Sequence, residues 1–399
     1  MSAPLRYTST LVAVIALAAC ASSGAETPKH GVHHTPTASV ARTSVPEPTW
    51  STSVPGWPSA LVADDRTAVV IAGTDDVIAL DPTTGDTKWH THVPGSAELE
   101  PALGDDQVIV PADNRAVALE RATGAARWSL PLPARVTAVA IGTGAGAGTV
   151  LLATDAGELR GVDAHTGATI WSSTHDGVVH SQPALDPTSG SFVTVWHRTD
   201  RPMVRASDAL TGAERWSAPT SAQAAAPTTV CAKVAPIGTP IAQTPESRCV
   251  DGGAVIVASG DGNSHAAVVA YDIRTGAERW RTAVPKSFES AIHPVAVNGL
   301  YIVVDHFGTV TALDPVTGAR RWRRMLDRPV LHTRLVAGGG VVAFTDESSD
   351  LIELDQRSGR TVYAGDPGGS PVGIARAGAR LLVALRITEP GRVEARTLR

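Results

Sequence analysis

Three observations predict an all-β chain, an eight-bladed β-propeller of four-stranded antiparallel blades whose last blade is closed by the N-terminal strand. An eleven-residue phrase recurs at intervals near 42 residues. Each interval holds four short β-branched runs split by Gly, Asn and Asp turns, with no helical periodicity. The segment Trp50-Ser51-Thr52-Ser53-Val54-Pro55-Gly56, ahead of the first phrase, repeats the pattern of Trp89-His90-Thr91-His92-Val93-Pro94-Gly95. The 399 residues are 43% hydrophobic and 18% charged, enough to build a large core. The net charge of −5, with no block of like charge, argues against a nucleic-acid surface.

From the N-terminus, residues 1–19 carry one cation, Arg6, and then the nine-residue apolar run from Leu11 to Ala19. Nine residues rise only about 14 Å in a helix, too short to span the hydrocarbon of a membrane. The run therefore predicts a signal peptide. It ends at Leu17-Ala18-Ala19-Cys20, which resembles the lipobox of bacterial lipoproteins, so Cys20 is the expected lipidation site; ordinary cleavage leaving a secreted protein is the alternative. Two other cysteines remain, Cys231 and Cys249, and an exported chain has reason to pair them as a disulfide. Unpaired core thiols are the other reading. Residues 20–48 are small and polar and predict a flexible tether, in which Lys29-His30-Gly31-Val32-His33-His34 fixes no geometry for a metal.

Residues 49–399 form the repeat domain. The phrase runs Ala79 to Trp89, Ala118 to Trp128, Gly161 to Trp171, Ala206 to Trp216, Ala270 to Trp280 and Ala312 to Trp322, with a degenerate seventh copy from Glu353 to Tyr363. Its glycines step by 39, 43, 45, 64, 42 and 41 residues, and the long step contains Cys231 and Cys249. A four-stranded sheet cannot bury both faces alone, so copies must stack, and this period is that of a propeller blade. Within the phrase, Thr-Gly makes a tight turn, Asp bonds the turn's own amides, and Trp spans the seam between blades while Ala leaves room for an indole. The docking set is Trp50, Trp89, Trp128, Trp171, Trp216, Trp280, Trp322 and Tyr363. After Tyr363 the chain offers three further strands and stops short of a Trp strand, so Trp50 to Gly56 is expected to close an eighth blade; seven blades with a frayed tail is the alternative.

The phrase Ala-x-Asp-x-x-Thr-Gly-x-x-x-Trp resembles the tryptophan-docking motif of pyrroloquinoline-quinone (PQQ)-like β-propeller repeat proteins. Lipobox, tether and one bare propeller are similar to the BamB-like lipoprotein branch of that superfamily. The resemblance implies a fold more than an activity, because the motif residues are structural. Quinone-dependent alcohol dehydrogenases of similar fold use adjacent cysteines and carboxylate calcium ligands, whereas the cysteines here stand apart at 20, 231 and 249.

Catalytic spacings are absent from the sequence, and the glycine-rich run from Gly142 to Gly148 lies between two strands, where a hairpin loop is expected rather than a phosphate cradle. Polar residues before the first strand of several blades are expected to ring the axial funnel: Glu100, His180, Gln182, His293, His332 and Arg334. They would line a small-ligand or peptide site, or merely a water-filled pore. The resulting expectation is a non-catalytic lipoprotein, exported and anchored on the extracytoplasmic face of the cell membrane, monomeric, without cofactor or metal. It would bind envelope proteins or peptides as a scaffold. A PQQ-dependent oxidoreductase and a small-ligand sensor using the funnel are the alternatives.

Overall fold

The computed structural model describes residues 47–399 except 97–98, 180–181, 198–202, 221–227, 231–252, 261–265, 285–291, 298, 306, 331–334, 388–389 and 399. For residues 228–230, 258–260, 266, 292–294 and 297 only the backbone is described. The expected signal peptide, most of the tether, Cys20, Cys231 and Cys249 all lie outside the described residues.

Eight four-stranded antiparallel sheets follow one another. Blades 1 to 7 span residues 58–92, 102–131, 136–174, 184–219, 228–284, 292–325 and 336–365. Blade 8 takes three strands from residues 370–397, and its fourth is Trp50–Val54, paired antiparallel with Gly391–Thr397. The first strands of successive blades adjoin one another around the centre, with Pro58–Ala63 of blade 1 against Ser370–Ala377 of blade 8 closing the ring. A 3₁₀ turn, Gly144–Gly146, is the only helical piece among the described residues.

The core divides into eight apolar clusters, one in each seam between neighbouring blades. Side-chain alternation explains this. In the strand Ala68–Ala72, Ala68, Val70 and Ala72 face blade 8, while Val69 and Ile71 face blade 2. Inner strands are buried on both sides, so they read as unbroken apolar runs rather than alternating ones.

The phrase builds the outer part of each seam. Its first residue lies directly across from the aromatic residue of the same blade in all eight sheets, from Ala79 opposite Trp89 to Ala395 opposite Trp50 and Glu353 opposite Tyr363. Only a small side chain fits beneath an indole there; at Gly161 an added Cβ would come within 2.2 Å of Trp171. The indole then crosses to the next blade, where its Nε1 donates to the carbonyl of the residue after the phrase acid: Trp89 to Arg121 at 2.8 Å, Trp216 to Ile273 at 2.8 Å, Trp322 to Gln356 at 2.7 Å. Trp50 does the same across the closing seam, to Pro82 at 3.1 Å. The ring lies against the next blade's phrase glycine. At Gly318, φ is +70° and a Cβ would sit 2.5 Å from Trp280, so both conformation and space demand glycine.

In blades 1 to 7 a β-bulge precedes the aromatic residue and inserts one extra outer-strand residue. In blades 4, 5 and 6 that residue is arginine and the bulge turns it back onto the phrase aspartate, Arg215 on Asp208 at 2.5 Å, Arg279 on Asp272 at 2.6 Å and Arg321 on Asp314 at 2.5 Å, whereas Arg127 of blade 2 pairs with Asp106 at 2.6 Å. Each of these phrase aspartates also accepts bonds from two turn amides, Leu210 and Thr211 in the case of Asp208. Burial pushes these carboxyls up, but the arginine and amide bonds outweigh it and hold them below the ordinary range.

Candidate functional site

Strand direction gives the ring two faces. The turn face carries the phrase turns. The crossover face carries the connections from each outer strand into the next blade, together with the loops between second and third strands. Of the expected funnel residues, Glu100 and Gln182 belong to the crossover connections. Glu100 and Gln182 are half-buried, immediately before the first strands Ala102–Leu103 and Ala184–Asp186 of blades 2 and 4, with blade 3 between them. His293 lies in the strand Ile292–Val297, where only its backbone is described, and His180, His332 and Arg334 lie outside the described residues.

A recess lies elsewhere on this face, in the seam between blades 3 and 4. It encloses about 260 Å³ and is lined by Thr174, His175, Asp176, Trp196, Met203 and Arg205. The strand Thr169–Thr174 ends blade 3 and delivers His175, whose amide donates to the Gly157 carbonyl at 2.9 Å. Trp196 ends the strand Ser191–Trp196 of blade 4, and Met203 opposite it begins Met203–Asp208, which carries Arg205. A bridge between Val178 and His197 pins the crossover chain against blade 4.

Trp196 is buried and donates from Nε1 to Thr194 Oγ1 at 2.9 Å. His175 meets it edge-on at 4.8 Å between centroids, and the Arg205 guanidinium stands 5.4 Å from the same ring. Arg205 approaches His175 Nδ1 at 2.5 Å and pairs with Glu214 at 2.9 Å. Burial first, and then Arg205, push the His175 imidazole below its usual value, with Glu214 opposing. The ring is therefore neutral near pH 7 and accepts from the guanidinium.

Ser173 Oγ lies 2.9 Å from His175 Nε2, the spacing of a nucleophile and its base. In a hydrolytic triad a carboxylate on the far nitrogen stabilises the imidazolium; here a guanidinium occupies that place and opposes it. The arrangement is built to hold a planar cation over an indole, not to move a proton. Among the described residues, no group of three His, Cys, Asp or Glu side chains could hold a metal ion.

Sequence reasoning did not find this recess, yet one signal was present. Seven of the nine tryptophans fall in the repeat pattern; Trp57 and Trp196 do not. Trp57 also lies on the crossover face, 50% exposed, with the Arg386 guanidinium 5.7 Å from its ring. The glycine-rich run does form a loop between two strands, but not an idle one: Ala145 donates to the Pro187 carbonyl of blade 4 at 2.8 Å.

Comparisons with known proteins agree with this architecture. The BamB of Moraxella catarrhalis superposes with a TM-score of 0.64 at 17% identity, over 88% of this chain and 98% of that one. The quinohemoprotein alcohol dehydrogenase of Comamonas testosteroni gives 0.62 at 14% identity, over 88% of this chain and 76% of that one. At such identities the likeness is one of fold alone. Among curated proteins, the serine/threonine-protein kinase AfsK of Streptomyces griseus is 33% identical over 200 residues, 49% of this chain; the match covers only 22% of AfsK. The family described as outer membrane protein assembly factor BamB matches at residues 39–155, 134–288 and 264–398. Spanning nearly the whole propeller, these matches show that the chain belongs to the BamB-like family of PQQ-type propellers.

Proposed function

We propose that this chain is a non-catalytic scaffold that binds protein or peptide partners at the cell envelope through its crossover face. One observation carries the reading: the tryptophans that the repeat does not use, Trp57 and Trp196, are both on that face and both paired with arginine, a combination enriched where proteins bind one another. A family described as an assembly factor supports it. In this reading residues 1–19 are the signal peptide, Cys20 carries the lipid, residues 20–48 are the tether, a Cys231–Cys249 disulfide fastens the long insertion, and Glu100, His180, Gln182, His293, His332 and Arg334 surround a funnel opening on the binding face.

A photocrosslinking residue placed at Trp57 tests it, with Val316, 53% exposed on the turn face, as control. Position 57 should capture a discrete partner in intact cells, and Arg205→Glu should weaken the capture. Equal labelling from both positions would refute the choice of face. Cys20→Ala should release the chain from the membrane fraction.

Quinone-dependent oxidation is the rival, favoured by the shared fold of the Comamonas enzyme. The described residues offer no carboxylate cluster for the accompanying calcium. Dye reduction on adding quinone and calcium would overturn the scaffold reading.

A further inference from the structure

The outer strand of blade 6, Arg320–Met325, reads RRWRRM, four arginines in six residues of a chain whose net charge is −5. The next most basic outer strand, Glu278–Val284 of blade 5, has two, and both are paired, Arg279 with Asp272 and Arg281 with Glu278. In blade 6, Arg321 is neutralised by Asp314, and Arg324 donates to the Gly359 carbonyl at 3.2 Å. Arg320 and Arg323 are exposed and make no ion pair or hydrogen bond among the described residues. Just beyond the strand, Arg328 is held by Asp350 at 2.9 Å, and Asp327 is the one carboxylate between residues 320 and 328.

The same corner is also apolar. Met325 is 61% exposed at the strand's end, on the same side as Arg323. Phe307, 50% exposed, sits in the adjoining turn, where the Leu326 amide donates to the Gly308 carbonyl at 2.9 Å. Unpaired Arg323 beside two projecting large apolar side chains, with Arg320 continuing the charge toward the other end of the strand, matches the boundary between lipid headgroups and acyl chains. An acidic protein would satisfy the arginines but leaves Met325 and Phe307 unexplained.

We infer that this corner of blade 6 is a contact for anionic phospholipid, in which Arg320 and Arg323 meet headgroup phosphates while Met325 and Phe307 enter the interface. Charge within a Debye length of the membrane governs the contact, so the chain's negative total does not forbid it and instead favours this edge over others. The contact needs no acyl chain on Cys20, and its failure would leave the scaffold reading intact.

The test uses the full chain carrying Cys20→Ala, so that no lipid anchor contributes. The readout is the excess of binding to phosphatidylcholine vesicles containing about 30% phosphatidylglycerol over binding to pure phosphatidylcholine, at about 50 and about 300 mM salt. The excess should be large at low salt and collapse at high salt. Arg320→Ala with Arg323→Ala should reduce it about 20- to 30-fold, and Met325→Ser with Phe307→Ser should reduce it several-fold, both without moving the melting temperature. Equal binding to the two vesicles, or an undiminished excess in the arginine variant, overturns the inference. Retention on immobilised polyglutamate without preference for anionic vesicles also overturns it, in favour of an acidic protein.

Discussion

The two faces of the ring follow different rules. On the turn face, blades 1, 3, 4, 5, 6 and 7 repeat the same aspartate accepting the same pair of amides and the same glycine beneath the preceding blade's indole, and in several a basic bulge residue closes the turn. On the crossover face, described side chains differ from blade to blade: blade 4 holds a buried indole–guanidinium pair, blades 8 and 1 an exposed one, and blade 6 an apolar corner. Periodic residues support the ring, and the departures from the period supply what distinguishes this protein. Substitutions on the turn face should therefore act on stability, and substitutions on the crossover face on binding.

The largest effect should come from Trp216→Ala. It removes a buried indole and its bond to Ile273, at a cost of about 3–5 kcal/mol, read as a lowered denaturant midpoint. An unchanged midpoint would mean that the seams do not depend on the indoles. Next is a matched pair of glycines. Gly318→Ala strains the backbone and strikes Trp280, for about 2–4 kcal/mol. Gly299→Ala has similar φ, +73°, but nothing within 4 Å, so it should cost only about 1–2 kcal/mol. Equal costs would show that close approach plays no part.

A smaller effect concerns acid. Because the folded His175 is harder to protonate than the unfolded one, the unfolded chain takes up the proton first as pH falls below about 6.5, and stability declines until the folded pKa is passed. His175→Gln should flatten that part of a stability–pH profile. The smallest expected change in stability is that of Trp57→Ala, under about 0.5 kcal/mol, since the ring is half exposed. A large loss would make Trp57 a structural residue and remove it from the binding face.

Much of the fold was legible because blade and phrase share one period. Eight blades and their closure followed from counting phrases and from matching Trp50–Gly56 to Trp89–Gly95. The bulge was not legible, since an extra residue in a ladder shows only once the partner strand is in register; hence the pairing of Arg215 with Asp208 went unseen. The site was less legible still. His175 and Arg205 are thirty residues apart, and His175 has no repeated counterpart to draw attention to it.

By itself, the sequence determined the architecture: glycine where φ is positive, a small residue beneath each indole, and apolar runs wherever a strand is covered on both faces. These are requirements of one blade on its immediate neighbour, so every copy states them again. Only the tertiary structure decided which side chains share the seam between blades 3 and 4, and which arginines of blade 6 are left without a carboxylate. Each depends on distances across a seam or around a corner, which change with the packing and leave no period in the chain.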